Sequence, residues 1–255
     1  FINVREKTAD TQAVVMSNDK LVIVSFRGSE ASANKKFSPV KTVYDWILTD
    51  FNFFKRRILW WGLNVQVHRG FYNGVDVVYD DLKRLVDAHM SGTPKTLWIT
   101  GHSLGAGLAP LAAFRLAGDG LNIQGLYTYA GPRLGNDSFV NAFRKRLPEM
   151  QRWVLDNDIV TKLPFKVFKY KHLVAANNIY SDGRLVVGDG EMQGPGKVKN
   201  HVPGMYLQKI FDLLPLDIKD RVPPPSAFGT DQGVADAELE RDFNGRLSHE
   251  EDSAD

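Results

Sequence analysis

The chain is expected to fold as an α/β protein, a mostly parallel central sheet with helices on both faces. Three observations predict this. Strand-like apolar runs alternate with stretches of helical period through most of the chain. The stretch Thr96 to Ala109 passes from a short buried strand, through a sharp glycine-rich turn, into a helix that starts in small residues. A length of 255 residues, 43% apolar and 24% charged, suits one such domain with a substantial core.

The elements follow in order. Residues 12–16 and 21–26 read as two strands joined by Ser17-Asn18-Asp19-Lys20, residues that favour a hairpin turn. The second ends in Phe26-Arg27-Gly28-Ser29. Residues 30–43 mix small, charged and single apolar residues without a period, as expected of a surface excursion. Residues 44–54 are rich in aromatics. Lys55-Arg56-Arg57-Ile58-Leu59-Trp60-Trp61 sets cations beside apolar residues, a composition that suits either a lipid surface or a core edge. Residues 65–71 read as a strand running into a turn, and 75–90 as one helix, with Val78, Leu82, Leu85, Val86 and Met90 on one face.

After the Gly-rich turn, residues 108–116 read as an apolar helix closed by Gly118-Asp119-Gly120. Strands are expected at 123–130 and 152–155, a helix at 138–146, later strands at 166–173 and 179–187, and a final helix at 205–214. The domain should occupy residues 1–220. From Arg221 a proline run leads into acidic polar sequence, expected to be a loosely held tail over 221–255. The tail carries a net −6 and the remainder a net +8. No arginine-rich stripe or set of stacking aromatics argues for nucleic acid, and no apolar run approaches a membrane span.

Cysteine is absent, so disulfides, thiolate zinc sites and a cysteine nucleophile are excluded. No ligand spacing suggests a metal, and no cofactor is expected. Residue 1 is Phe, so the chain reads as trimmed, the lack of a signal peptide carries no weight, and compartment and oligomeric state stay open.

The chemistry is carried by Gly101-His102-Ser103-Leu104-Gly105. Glycines at both ends let strand and helix approach closely while Ser103 takes a strained conformation. Its hydroxyl then stands above the sheet edge, beside the Leu104 N–H. An activated serine needs a base, and the base an orienting acid. Asp158 follows a strand and His201 lies ahead of the last helix, in the order Ser, Asp, His. The backbone N–H of Ser29, at the end of a buried strand, is a candidate second donor to a developing oxyanion.

The sequence resembles the fungal-type, class 3 triacylglycerol lipase family, of α/β-hydrolase fold. The residues that carry the likeness are Phe26-Arg27-Gly28-Ser29, Asp45-Trp46, Val67-His68-Arg69-Gly70-Phe71, the Ser103 turn and Gly131-Pro132-Arg133-Leu134-Gly135-Asn136. Asn157-Asp158-Ile159-Val160, Leu163-Pro164, Tyr170-x-His172 and His201 ahead of Tyr206 complete it, over roughly residues 11–210. The resemblance implies Ser103 as nucleophile, Asp158 as acid and His201 as base. Ser29 and Leu104 then form the oxyanion hole, and residues 30–43 a lid. Asp156 competes with Asp158, but Asp158 occupies the family's Asn-Asp-x-Val position. His172 matches a structural position, and His68 and His102 read as supports of the turn.

The implied activity is hydrolysis of lipid carboxylic esters, by a triacylglycerol lipase or by a carboxylesterase, phospholipase or feruloyl esterase of the same fold. A catalytically silent interaction protein is the alternative of another class. Phe37, Val40, Trp46, Ile47 and Phe51 are candidate walls of an acyl groove, and core packing would use the same residues. The chain departs from the family in its missing cysteines, its longer stretch between Ser29 and Trp46, and Thr161 in place of proline.

Overall fold

The computed structural model describes residues 2–6, 9–28, 54–60, 62–147, 149–188 and 194–228. The expected lid, the Ser29 donor, the groove candidates Phe37, Val40, Trp46, Ile47 and Phe51, and residues 229–255 of the tail lie outside these ranges.

One sheet of eight strands organises the chain. Its first edge is an antiparallel meander of β1 (Ile2–Glu6), β2 (Ala9–Ser17) and β3 (Leu21–Phe26). From β3 the pairing turns parallel through β6 (Thr96–His102), β7 (Ile123–Tyr129), β8 (Met150–Leu155) and β9 (Ala176–Ile179). Antiparallel β10 (Leu185–Gly188) closes the other edge. A separate hairpin, β4 (Lys55–Trp60) with β5 (Leu63–His68), leans on the domain through a bridge from Val67 to Gly135. The parallel pairs need crossovers, and helices supply all but the one from β8 to β9, which runs through two 3-10 turns. The helices are α1 (Arg69–Asp76) and α2 (Tyr79–Met90) before β6, α3 (Leu104–Gly118) between β6 and β7, and α4 (Asp137–Arg146) between β7 and β8.

Alternation along the strands splits the core between the two faces. Val22, Val24, Leu97, Ile99 and Leu126 point one way and pack beneath α1 to α4, around Leu108, Leu111 and Phe114 of α3. Leu155 and Ile179 pack the other way, with Ala130, against Tyr206 of α5 (Pro203–Leu213). A short α6 (Leu216–Lys219) and a 3-10 turn at Pro225–Phe228 end the described chain.

Four expectations are corrected, the first being the single strand at 179–187, where β9 and β10 instead form a hairpin that turns over residues 180–184. The stretch 65–71 ends in a helix rather than a turn, and 75–90 holds two helix segments that meet at Val77-Val78. Gly70 and Gly74 weaken the local helix signal of α1. Gly74 is there for packing: a Cβ would stand 2.8 Å from Leu108 Cδ2 and 3.0 Å from Thr11 Oγ1. Residues 166–173 alternate like a strand but form a 3-10 turn at Lys166–Phe168, then a left-handed Lys169 and a single bridge at Lys171. The place beside β8 is taken by β9, which leaves this segment no strand partner in the sheet, and Val167 points into solvent at 77% exposure.

Candidate active site

The site forms at the C-terminal ends of the parallel strands. β6 ends at His102, α3 begins at Leu104, and Ser103 between them has φ 58° and ψ −121°. That conformation is costly for any residue with a side chain and persists only where its surroundings enforce it. The enforcement is steric. A Cβ on Gly101 would lie 2.3 Å from the Gly105 carbonyl, and one on Gly105 2.3 Å from the Phe26 carbonyl oxygen. Only glycines let the turn cross the strand end so closely. Ser103 N–H is fixed to Tyr129 O at 3.0 Å, and Ala106 N–H donates to Ser103 O at 3.0 Å. A Gly105→Ala variant is expected to lose on the order of 3 kcal/mol of stability, read as a lower denaturant midpoint, because backbone rather than a flexible side chain blocks the added methyl.

Asp158 lies just past β8 and caps the 3-10 turn Ile159–Lys162, its Oδ1 accepting from Val160 N–H at 2.9 Å. The His201 segment is tied alongside it. Lys197 N–H donates to Asn157 O at 2.5 Å, Asp158 pairs with Lys197 in a parallel bridge, and the 3-10 turn Val198–His201 follows. His201 Nδ1 lies 3.0 Å from each Asp158 carboxylate oxygen, and its Nε2 2.7 Å from Ser103 Oγ. All three side chains are buried, Asp158 completely. A buried carboxylate is tolerable only when its oxygens are satisfied. Here His201, Val160 N–H and the Tyr206 hydroxyl do so, the last donating to Oδ2 at 2.7 Å. Tyr206 in turn accepts from Leu155 N–H at 2.9 Å. Burial, reinforced by the Asp158 charge, raises the phenol pKa, so Tyr206 remains a protonated donor.

The competing residues fall elsewhere. Asp156 adopts a left-handed conformation and is pinned to β9 through its N–H on Ile179 O. His68 caps α1, its Nδ1 accepting from Phe71 N–H at 3.4 Å. His172 Nε2 binds the Thr161 carbonyl at 2.8 Å and steadies the turn after Asp158. His249 lies outside the described residues. Thr161, which stands where the family has proline, donates its hydroxyl to Asp158 O at 2.8 Å, a restraint that proline would lack. Arg133, buried after β7, donates to the carbonyls of Lys162 and Pro164 and holds the far end of the same segment. The sequence assigns Tyr206 no role, and its place on the helix after His201 is the one sequence signal for this donor. Nothing in the sequence marked Arg133 as a clamp.

The His102 ring packs against His201 at 4.9 Å between centroids, the two planes tilted by 36°. Burial first, then the adjacent His201, pushes its pKa down to about 3, so it stays neutral and adds no charge against a protonated His201. His68 is held down at about 4, chiefly by burial and then by Arg69. Both groups are depressed below the ordinary 6.5, so the unfolded chain binds more protons than the native one between those values. Stability is then complete above about pH 6.5 and falls with acidification, by up to about 1.4 kcal/mol per pH unit for each group. Urea midpoints measured from pH 7 to 4 are expected to decline, and His68→Asn, which removes one titrating group, to flatten the slope.

Leu104 opens the 15-residue α3, whose first N–H groups have no acceptor within the helix. Gly28 lies against the turn, where an added Cβ would be 3.2 Å from His102 O and 3.6 Å from Ser103 Cβ. Among the described residues no group of three His, Asp or Glu side chains could hold a metal. The arrangement can deprotonate a hydroxyl through an imidazole whose other nitrogen is held by a carboxylate.

A family model described as Lipase (class 3) matches residues 23–168. The chain is similar to the secreted mono- and diacylglycerol lipase 1 of Fusarium solani, 36% identical over 155 residues, which are 60% of this chain and 42% of that protein. It spans less than half the length of such relatives. Its fold is similar to that of a mutant form of MDLA from Penicillium cyclopium, with TM-score 0.57 and 26% identity over 76% of this chain and 73% of that one. It is also similar to a triacylglycerol lipase described as having a serine protease triad at its catalytic centre, with TM-score 0.60 and 25% identity over 76% and 75% of the two chains.

Proposed function

Because the chain belongs to the class 3 lipase family, of α/β-hydrolase fold, we propose that it hydrolyses carboxylic esters of lipids through an acyl-enzyme on Ser103. The observation that carries this reading is the unbroken line from Ser103 Oγ through His201, at 2.7 and 3.0 Å, to the buried Asp158. His201 takes the Ser103 proton as Oγ attacks the acyl carbonyl. Asp158 keeps the proton of the neutral imidazole on Nδ1 and stabilises the imidazolium that forms. The N–H groups of Leu104 and Ser29 receive the oxyanion, each contributing on the order of a hundred- to a thousand-fold in turnover. His201 then gives its proton to the departing alcohol, and a water repeats the sequence on the acyl-enzyme. Residues 30–43 act as the lid, with the acyl chain held among Phe37, Val40, Trp46, Ile47 and Phe51, and residues 221–255 as a tail outside the catalytic domain.

The relatives support an acylglycerol as substrate, since one is named a mono- and diacylglycerol lipase and another a triacylglycerol lipase. The test is a panel of p-nitrophenyl esters of increasing chain length, run beside triolein, diolein and phosphatidylcholine. Turnover of the acylglycerols is the expected result. Turnover confined to phosphatidylcholine or to short soluble esters would overturn the acylglycerol assignment, and none on any ester would overturn hydrolysis itself.

A further inference from the structure

Residues 51–75 and 159–181 contain eight Lys or Arg and no Asp or Glu. The fold brings these separate stretches together. Lys55, at the start of β4, donates its ammonium to the Phe168 carbonyl and lies 4.5 Å from the Tyr170 ring centroid. Gly135 bridges to Val67 on one side and to Lys171 on the other. Within β4, alternation separates two sets of side chains. Arg56 and Ile58 face the body, Arg56 reaching Asn73 and the Tyr72 ring and Ile58 being buried. Lys55, Arg57 and Leu59 share the opposite face, where Leu59 is 73% exposed. Across from them, Phe165, Val167 and Phe168 are exposed alongside Lys166 and Lys169, and Phe54 is 66% exposed beside Arg69.

The cations are close enough to repel one another. After partial burial, the charge of Lys169 is the second cause that lowers the Lys55 pKa. Asp137 Oδ1 stands 3.9 Å from Lys171 Nζ, with both side chains more than half exposed. Interleaved cations and protruding apolar side chains match the boundary of a bilayer with anionic headgroups, where ammonium and guanidinium groups sit at the phosphates and the apolar side chains enter the acyl layer. Crowded cations gain more from such a surface than from water, because the counter-charge relieves their repulsion.

We propose that the face formed by β4 and residues 165–171 docks the protein on an anionic bilayer, with Phe54, Leu59 and Val167 entering the lipid and Arg57, Lys166 and Lys169 at its headgroups. This surface goes beyond the ester-hydrolase reading and is built from residues other than the expected lid, 30–43. Its second stretch continues directly from Asp158 and its 3-10 turn, at the strand ends where Ser103 stands.

The experiment is co-sedimentation of the full chain carrying Ser103→Ala, so that no lipid is consumed. Vesicles of phosphatidylcholine are compared with the same vesicles containing phosphatidylglycerol. Binding to the anionic vesicles is expected, much weaker binding to the neutral ones, and release by salt. Lys169→Glu and Val167→Asp should each weaken anionic binding by about fivefold or more. In the Ser103 protein neither should change turnover of a soluble short ester, which also verifies folding, and Leu59→Asp gives an independent second apolar variant. Equal uptake by both vesicle types, or unchanged binding by all three variants, would overturn the proposal. So would binding to soluble polyglutamate as tight as to vesicles and indifferent to Val167, which would mark an acidic protein partner instead. Vesicle binding is read without turnover, so this proposal and the hydrolase reading can fail separately.

Discussion

Ser103→Ala is expected to lower ester turnover by about a million-fold while leaving the protein folded. Removing the nucleophile of such a unit costs nearly as much as removing the whole unit. The fold should survive because alanine meets the same backbone demand as serine at φ 58°, and the turn is held by Gly101, Gly105 and the bond from Ser103 N–H to Tyr129 O. What disappears is one hydroxyl at 2.7 Å from His201 Nε2. Steady-state assay beside a circular dichroism melt checks both halves. Retained turnover would remove Ser103 from the reaction.

Asp158→Asn is expected to lower kcat by about ten-thousand-fold, with little change in KM. An amide can present its NH2 to His201 Nδ1, which fixes the imidazole proton on Nε2, facing Ser103. In that tautomer Nε2 cannot accept the serine proton. The substitution also unsettles a full set of donors. His201, Tyr206 and Val160 N–H all give to the Asp158 carboxylate, and an amide has only one oxygen to receive them. A stability loss of about 1–3 kcal/mol should accompany the kinetic one. Kinetics and denaturant unfolding of the same variant separate the two effects, since a merely destabilised protein would recover kcat under folding conditions.

The parts of the fold legible in the sequence are those with a strong local signature. Strands β2, β3, β6, β7 and β8 are apolar runs bounded by turns, and Ser103 is marked by two glycines that steric contact requires. Asp158 and His201 follow Ser103 in the expected order, but the family resemblance is what separates them from Asp156 and His172, and only folding brings them within 3.0 Å of each other. Other features have no local signal. The alternation at 166–173 suits a strand, but strand formation needs a neighbour, and β9 occupies the place beside β8. Helix α1 contains two glycines whose value lies in packing rather than propensity. The Tyr206 hydroxyl finds Asp158 across 48 residues, and Arg133 reaches carbonyls about 30 residues away, distances that no local pattern spans.

The account rests on Ser103 being the one hydroxyl that His201 and Asp158 make nucleophilic, and active-site labelling tests it most directly. A fluorophosphonate probe, followed by proteolysis and mass spectrometry, should place a single adduct on Ser103 and none on the protein carrying His201→Ala. Absence of labelling in the folded native protein, or an adduct on another residue with Ser103 unmodified, would contradict it.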